Sequence, residues 1–163
     1  MNFTALLREL RLAIDDEAER TARSKLLLTI AAPAGAYHFR WLELDEIHEP
    51  LDWINLMAYD FAGPWDGRTG VNAPLREVGQ GIQGSVSAYM NFGLPAHKIV
   101  VGLATYGRSF AGVDRPALDV ASEGSGPKLR CTPADGMAAY FEVKALLEAG
   151  TTTSARSRRS SSS

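Results

Sequence analysis

The stretch LDWINLMAYDFAGPW, residues 51–65, decides how this chain is read. It begins with the alternation of a strand: Ile54, Leu56 and Ala58 fall on one side, and Trp53, Asn55, Met57 and Tyr59 on the other. It then passes without a break into Tyr59, Asp60, Gly63, Pro64 and Trp65. A phenol, a carboxylate and an indole therefore stand where a buried strand should leave its sheet. An unpaired carboxylate beside a core is costly, so this order of residues points to something that binds the acid.

Two further segments read the same way. KLLLTIAAP (25–33) is an apolar run closed by Pro33 and Gly35, with Leu28 and Ile30 on one face and Thr29 and Ala31 on the other. HKIVVGLATYGRSF (97–110) carries a third strand over 98–108. Its aliphatic face holds Ile99, Val101 and Leu103, and its opposite face Val100, Gly102, Ala104 and Tyr106. Helices separate the strands. Asn2 caps a helix over about residues 3–20, with Phe3, Leu6, Leu7, Leu10 and Ile14 at helical spacing. A short helix is expected over 39–47, with Trp41 as a packing residue. QGIQGSVSAYMNFG (80–93) reads as a helix that stops near Gly93. The alternation of helix and strand implies a parallel sheet, whose strands are apolar nearly throughout because helices cover them.

Beyond residue 110 the pattern loosens. Residues 111–136 have the Gly, Pro, Asp and Ser content of turns and short strands. MAAYFEVKALLEAG (137–150) reads as a last helix, and TTTSARSRRSSSS (151–163) as a disordered, solvated polar tail.

Composition narrows the function classes. The 163 residues are 45% hydrophobic and 22% charged, with a formal net charge of −2. That is a globular composition without the basic footprint of nucleic-acid binding or of an anionic membrane surface. No apolar run approaches the ~20 residues that span a bilayer, and charges interrupt the N-terminal stretch where a signal peptide would carry its apolar core. Cys131 is alone, so no internal disulfide or thiolate cluster is expected, and it reads as structural. His38, His48 and His97 lack metal-ligand spacing and read as surface or satisfied residues; no metal or cofactor is expected. GQGIQG (79–84) matches a dinucleotide-binding pattern, but no strand runs directly into it, so it reads as a loop entering a helix.

The segments LLLTIAAPAGAY (26–37), LDWINLMAYDFAGPWDGRTGVNAPL (51–75) and HKIVVGLATYGRSF (97–110) resemble the family 18 glycoside hydrolases, the chitinases and their relatives. NFTALLRELRLAI (2–14) and GMAAYFEVKALLEAG (136–150) add weaker likeness. The resemblance implies an α/β fold: part of a (β/α)8 TIM barrel, strands five to seven with flanking helices, over 1–110. Part of the α+β insertion domain would follow over 111–150, then the tail over 151–163. It implies action on β-1,4-linked N-acetylglucosamine polymers with retention, the substrate's own acetamido oxygen serving as nucleophile. By the same resemblance Tyr59 holds the acetamido group and Asp60 hydrogen-bonds the sugar at the cleavage point. Met57 walls the pocket, Trp65 stacks on the leaving-group side, and Tyr106 and Arg108 add contacts. Ala31 and Tyr37 line the cleft. The partner would be chitin or chitooligosaccharide, and the location extracellular.

The family's proton donor ends an Asp-x-x-Asp-x-Asp-x-Glu motif, and no such motif occurs in residues 1–163. A complete barrel takes about 250 residues. The chain is thus expected to be a fragment that lacks its general acid and self-associates through uncovered barrel edges. Two alternatives stand beside this reading: a non-catalytic, chitooligosaccharide-binding relative, and a polypeptide that neither folds nor binds.

Overall fold

The computed structural model describes residues 2–76, 81–132 and 134–150. The expected disorder over 151–163, and Gly79 and Gln80 of GQGIQG, lie outside them. The chain divides into two compact units, residues 1–62 with 70–104, and residues 63–69 with 105 onward.

The first unit is built on a three-stranded parallel sheet. β1 (Thr29–Pro33) pairs with β2 (Trp53–Met57), and β2 with β3 (Ile99–Val101), in the order β1-β2-β3. The register sets Ala32 beside Leu56 and Ile54 beside Ile99, so one face gathers the aliphatic residues. Ala32, Ile54, Leu56 and Ala58 have no solvent exposure and form the centre of the core with Leu44, Ile47, Leu51, Tyr89 and Leu94. The alternation expected in residues 52–59 is thus present on β2, with Trp53, Asn55, Met57 and Tyr59 half-buried on the opposite side.

Helix α1 (Asn2–Thr21) precedes the sheet. Leu7 is its buried anchor, whereas Phe3, Leu6 and Leu10 are exposed, so most of the expected apolar stripe finds no cover among the described residues. Charge fixes the helix instead. Arg11 donates to Asp52 Oδ2 at 3.1 Å and to the Leu26 carbonyl at 3.0 Å, and the same carboxylate oxygen accepts from the Leu28 amide at 2.7 Å. Asp52 therefore ties α1 to the entrances of β1 and β2.

The helix expected over 39–47 forms earlier and shorter, as α2 (Ala36–Phe39). Hydrogen-bonded turns follow, with the amides of Glu46 and Ile47 both donating to the Glu43 carbonyl. Leu44, Ile47 and Leu51 are buried from these turns, which satisfies the helical spacing of apolar residues without a helix. Helix α3 (Ile82–Asn91) ends as expected: Gly93 takes a positive φ of 96°, where glycine carries no Cβ penalty.

The single strand expected over 98–108 is two. β3 stops at Val101, and only the Gly102 amide continues toward β2, donating to the Leu56 carbonyl at 2.8 Å. Val100, Val101 and Leu103 are exposed, Leu103 at 79%. Of the expected aliphatic face, Ile99 packs against the core, while Val101 and Leu103 stay exposed. Tyr106–Arg108 forms β4 in the second unit and pairs antiparallel with β7 (Met137–Ala139). β5 (Phe110–Ala111) pairs with β6 (Gly124–Ser125), and α4 (Tyr140–Glu148) follows β7. Residues 137–139, expected to start that last helix, are strand because their partners are the β4 residues. The 63–69 segment belongs here through Thr69, which donates its amide to the Val120 carbonyl at 2.8 Å and its hydroxyl to the Ala117 carbonyl at 2.7 Å.

Candidate functional site

At the carboxyl end of β1 and β2 lies an open hollow of about 170 Å³. Pro33, Ala34, His38, Met57, Tyr59, Asp60 and Phe61 line it. The pleat explains the arrangement. Met57 is the last residue of β2 on the face away from the core, and Ala58 is fully buried on the other. Tyr59 then returns to the side of Met57 as the chain leaves the sheet.

Asp60 is held at φ +61°, the left-handed region that few residues other than glycine occupy and that Asp tolerates. Asn72 fixes it there. The Asp60 amide donates to Asn72 Oδ1 at 3.1 Å, and the Phe61 amide donates to the Asn72 carbonyl at 3.0 Å. Gly102 makes room for Tyr59: a Cβ at that position would stand 3.1 Å from the Tyr59 ring and 2.9 Å from the Leu56 carbonyl oxygen. The opposite wall hangs from α3. The buried Tyr89 hydroxyl donates to the Pro33 carbonyl at 3.0 Å, and the Gly35 amide donates to Ser85 Oγ at 3.3 Å. Burial pushes the Tyr89 phenol well above its ordinary value, so it remains a donor at any physiological pH.

The second unit carries its own cluster. Residues 64–66 make one 3₁₀ turn, closed by the Gly63 amide donating to Asp66 Oδ2 at 2.8 Å. The Trp65 indole folds back over Gly63, where a Cβ would sit 2.3 Å from the ring. Tyr106 and Arg108 project from the same side of β4, two residues apart. The Arg108 guanidinium lies 4.9 Å from the Trp65 ring centre and 5.2 Å from that of Tyr106. Trp65 keeps 60% of its surface exposed, a flat indole steadied by a cation.

Of the residues singled out in the sequence, Met57, Tyr59 and Asp60 therefore meet in the first unit, and Trp65, Tyr106 and Arg108 in the second. Ala31 is exposed on β1, registered with Asn55, while the hollow's wall on that strand is Pro33 and Ala34. Tyr37 is 66% exposed, with its ring 5.2 Å from that of His38. Trp41, expected to pack, is 64% exposed. Sequence reasoning missed His38, Phe61 and Asn72. The first two follow from the chain path after β1 and β2, and no spacing marks Asn72 as the clamp. No group of three or more metal-ligating side chains occurs among the described residues.

A carboxylate, a phenol, a thioether and a phenyl ring around one hollow suit a ligand with hydroxyls or amides on its edges and C–H groups on its faces. Such an amphipathic ring is what a carbohydrate-active protein recognises. The chain belongs to the family described as "Glycosyl hydrolases family 18", whose model matches residues 1–162. It is 40% identical over 126 residues to Chitinase 1 of Aphanocladium album, covering 71% of this chain and 30% of that protein. A solved structure of human YKL-39, described as a pseudo-chitinase with retained chitooligosaccharide binding properties, superposes with a TM-score of 0.83 at 29% identity, over 90% of this chain and 43% of that one. A family 18 chitinase from Cycas revoluta, solved in complex with (GlcNAc)3, gives 0.79 at 31% identity, over 91% and 44%. The chain thus spans about a third of the length of the curated relatives it matches, and under half of the solved chains.

Proposed function

We propose that this chain carries the sugar-orienting part of a chitinase-like glycoside hydrolase site and binds β-1,4-linked N-acetylglucosamine oligomers in the hollow at the carboxyl end of β2. The observation that carries the reading is the convergence of Met57, Tyr59 and Asp60 on one hollow. In this reading the Tyr59 hydroxyl donates to the acetamido oxygen of the bound sugar. That contact turns the oxygen toward the anomeric carbon and stabilises the charge that develops as the ring closes. The Asp60 carboxylate accepts a hydrogen bond from the sugar, and Met57 supports its apolar face. By the family resemblance, Trp65, Tyr106 and Arg108 of the second unit are further candidate sugar contacts, and Ala31 and Tyr37 of the first lie along its approach.

A second reading, binding without turnover, is favoured for the chain by itself. The Asp-x-x-Asp-x-Asp-x-Glu motif that resemblance assigns to the proton donor does not occur in residues 1–163. General acid catalysis contributes roughly 10²–10⁴-fold, so turnover by this chain alone should be negligible. Calorimetric titration with the N-acetylglucosamine trimer tests the binding. Asp60→Asn should weaken it about tenfold or more, the effect of losing one charge-assisted hydrogen bond, and Tyr59→Phe by less. Unchanged affinity in both variants would remove the hollow from the account. Fluorophore release from a chitobioside tests turnover: a rate clearly above that of Tyr59→Phe would overturn the second reading.

A further inference from the structure

The loop that leaves β1 presents an aromatic pair apart from the hollow. Tyr37 and Trp41 are both largely exposed, and the Arg40 guanidinium bridges them, 4.1 Å from the Tyr37 ring centre and 4.8 Å from that of Trp41. Solvent-facing rings normally swing among rotamers. A cation shared between two rings restricts them, so a ligand that stacks there loses less side-chain freedom on binding. The pair is also continuous with the hollow. His38 lines the hollow, and the Tyr37 ring meets the His38 ring edge-on at 5.2 Å. β1 and β2 are parallel neighbours, so the loop after β1 and the residues after β2 leave the sheet at the same end.

We propose that Trp41, held by Arg40, is a second stacking platform, which receives a pyranose ring of the same polymer beyond the sugar in the hollow. The inference rests on the reading that the hollow binds N-acetylglucosamine oligomers. The path runs from Tyr59 and Asp60 past His38 and Tyr37 to Trp41, with aromatic faces for the sugars and the guanidinium as a donor to their hydroxyl and acetamido oxygens. A short oligomer fills the hollow alone, and a longer one reaches Trp41. Affinity should therefore depend on length, and Trp41 should carry the dependence.

Calorimetric titration of wild type, Trp41→Ala and Trp41→Phe with the N-acetylglucosamine trimer and hexamer tests it, with circular dichroism as the check on folding. Trp41→Ala should leave the trimer within about twofold of wild type and weaken the hexamer about tenfold, the scale of one lost aromatic platform, and Trp41→Phe should restore most of that loss. Hexamer affinity unchanged in Trp41→Ala, or trimer and hexamer weakened equally, would overturn the platform and leave the hollow standing. Wild type binding neither oligomer would remove the hollow and the platform together.

Discussion

Asp60 occupies a backbone conformation that costs most side chains roughly 1–2 kcal/mol, and Asn72 holds it there from both sides. Asp60→Asn keeps a side chain that tolerates the left-handed region, so the turn should be retained while oligomer binding falls. Circular dichroism and chemical denaturation check the first half, and a variant that fails to fold would show that the carboxylate serves the fold before any ligand. Gly102 works in the reverse sense. Gly102→Ala would press a methyl group against the Leu56 carbonyl and the Tyr59 ring, costing about 1–3 kcal/mol and displacing the phenol, so denaturation midpoint and binding should fall together. At this scale part of the candidate hollow's lining was legible. Tyr59 and Asp60 could be placed because a strand pattern ran straight into them. Asn72 could not, because its role depends on a loop folding back twelve residues later.

Among the elements, β2 was read from its alternation alone, and Ile54 and Leu56 are buried as that alternation requires. Leu56→Ala should cost about 2–5 kcal/mol, since a fully buried leucine leaves a cavity on the middle strand of the three-stranded sheet. β3 was read too long. The run from Ile99 to Tyr106 keeps the apolar character of a strand, but pairing partners end it, and sequence periodicity carries no information about where a neighbour stops. The start of α4 shows the same limit, because residues 137–139 are strand only through their pairing with β4. α4 also carries a titratable anchor. The Glu142 carboxylate is held below its ordinary value, first by the hydrogen bond it accepts from the Thr132 hydroxyl, then by the Cys131 and Ala139 amides, while its burial works in the opposite direction. A depressed folded pKa contributes stability that is complete above the unfolded value of about 4.5 and is lost as pH falls through the folded value. Thermal unfolding followed from pH 7 to pH 3 should show a loss that Glu142→Gln reduces. An identical pH profile in the variant would detach this carboxylate from stability.

The whole molecule exposes apolar surface that an isolated globular chain would cover. Leu26 and Leu27 before β1, Val100 and Val101 on β3, Leu103 just after it, and Phe3, Leu6 and Leu10 on α1 are all exposed. β1 and β3 are open edges of the three-stranded sheet, and open apolar edges favour strand-to-strand association. Sedimentation at rising concentration should therefore show association, and Val100→Lys should reduce it; a compact monomer at every concentration would contradict this. The order of helices and strands was a sound guide to an α/β chain, and family membership follows from the family model that matches nearly its whole length. A division was expected between 1–110 and 111–150; that residues 63–69 and 105–110 group with the later segment was not legible, because Thr69 finds its partners about fifty residues away.

The account's central claim is that the hollow after β2 receives a sugar. Backbone amide shifts recorded by NMR during titration with the N-acetylglucosamine trimer test it most directly. The account predicts that perturbations concentrate at His38, Met57, Tyr59, Asp60 and Phe61 and shrink several-fold in Asp60→Asn at the same subsaturating ligand concentration. Shifts confined to Glu17, Arg23 and Leu26, at the end of α1 and in the segment after it, or none anywhere, would contradict it.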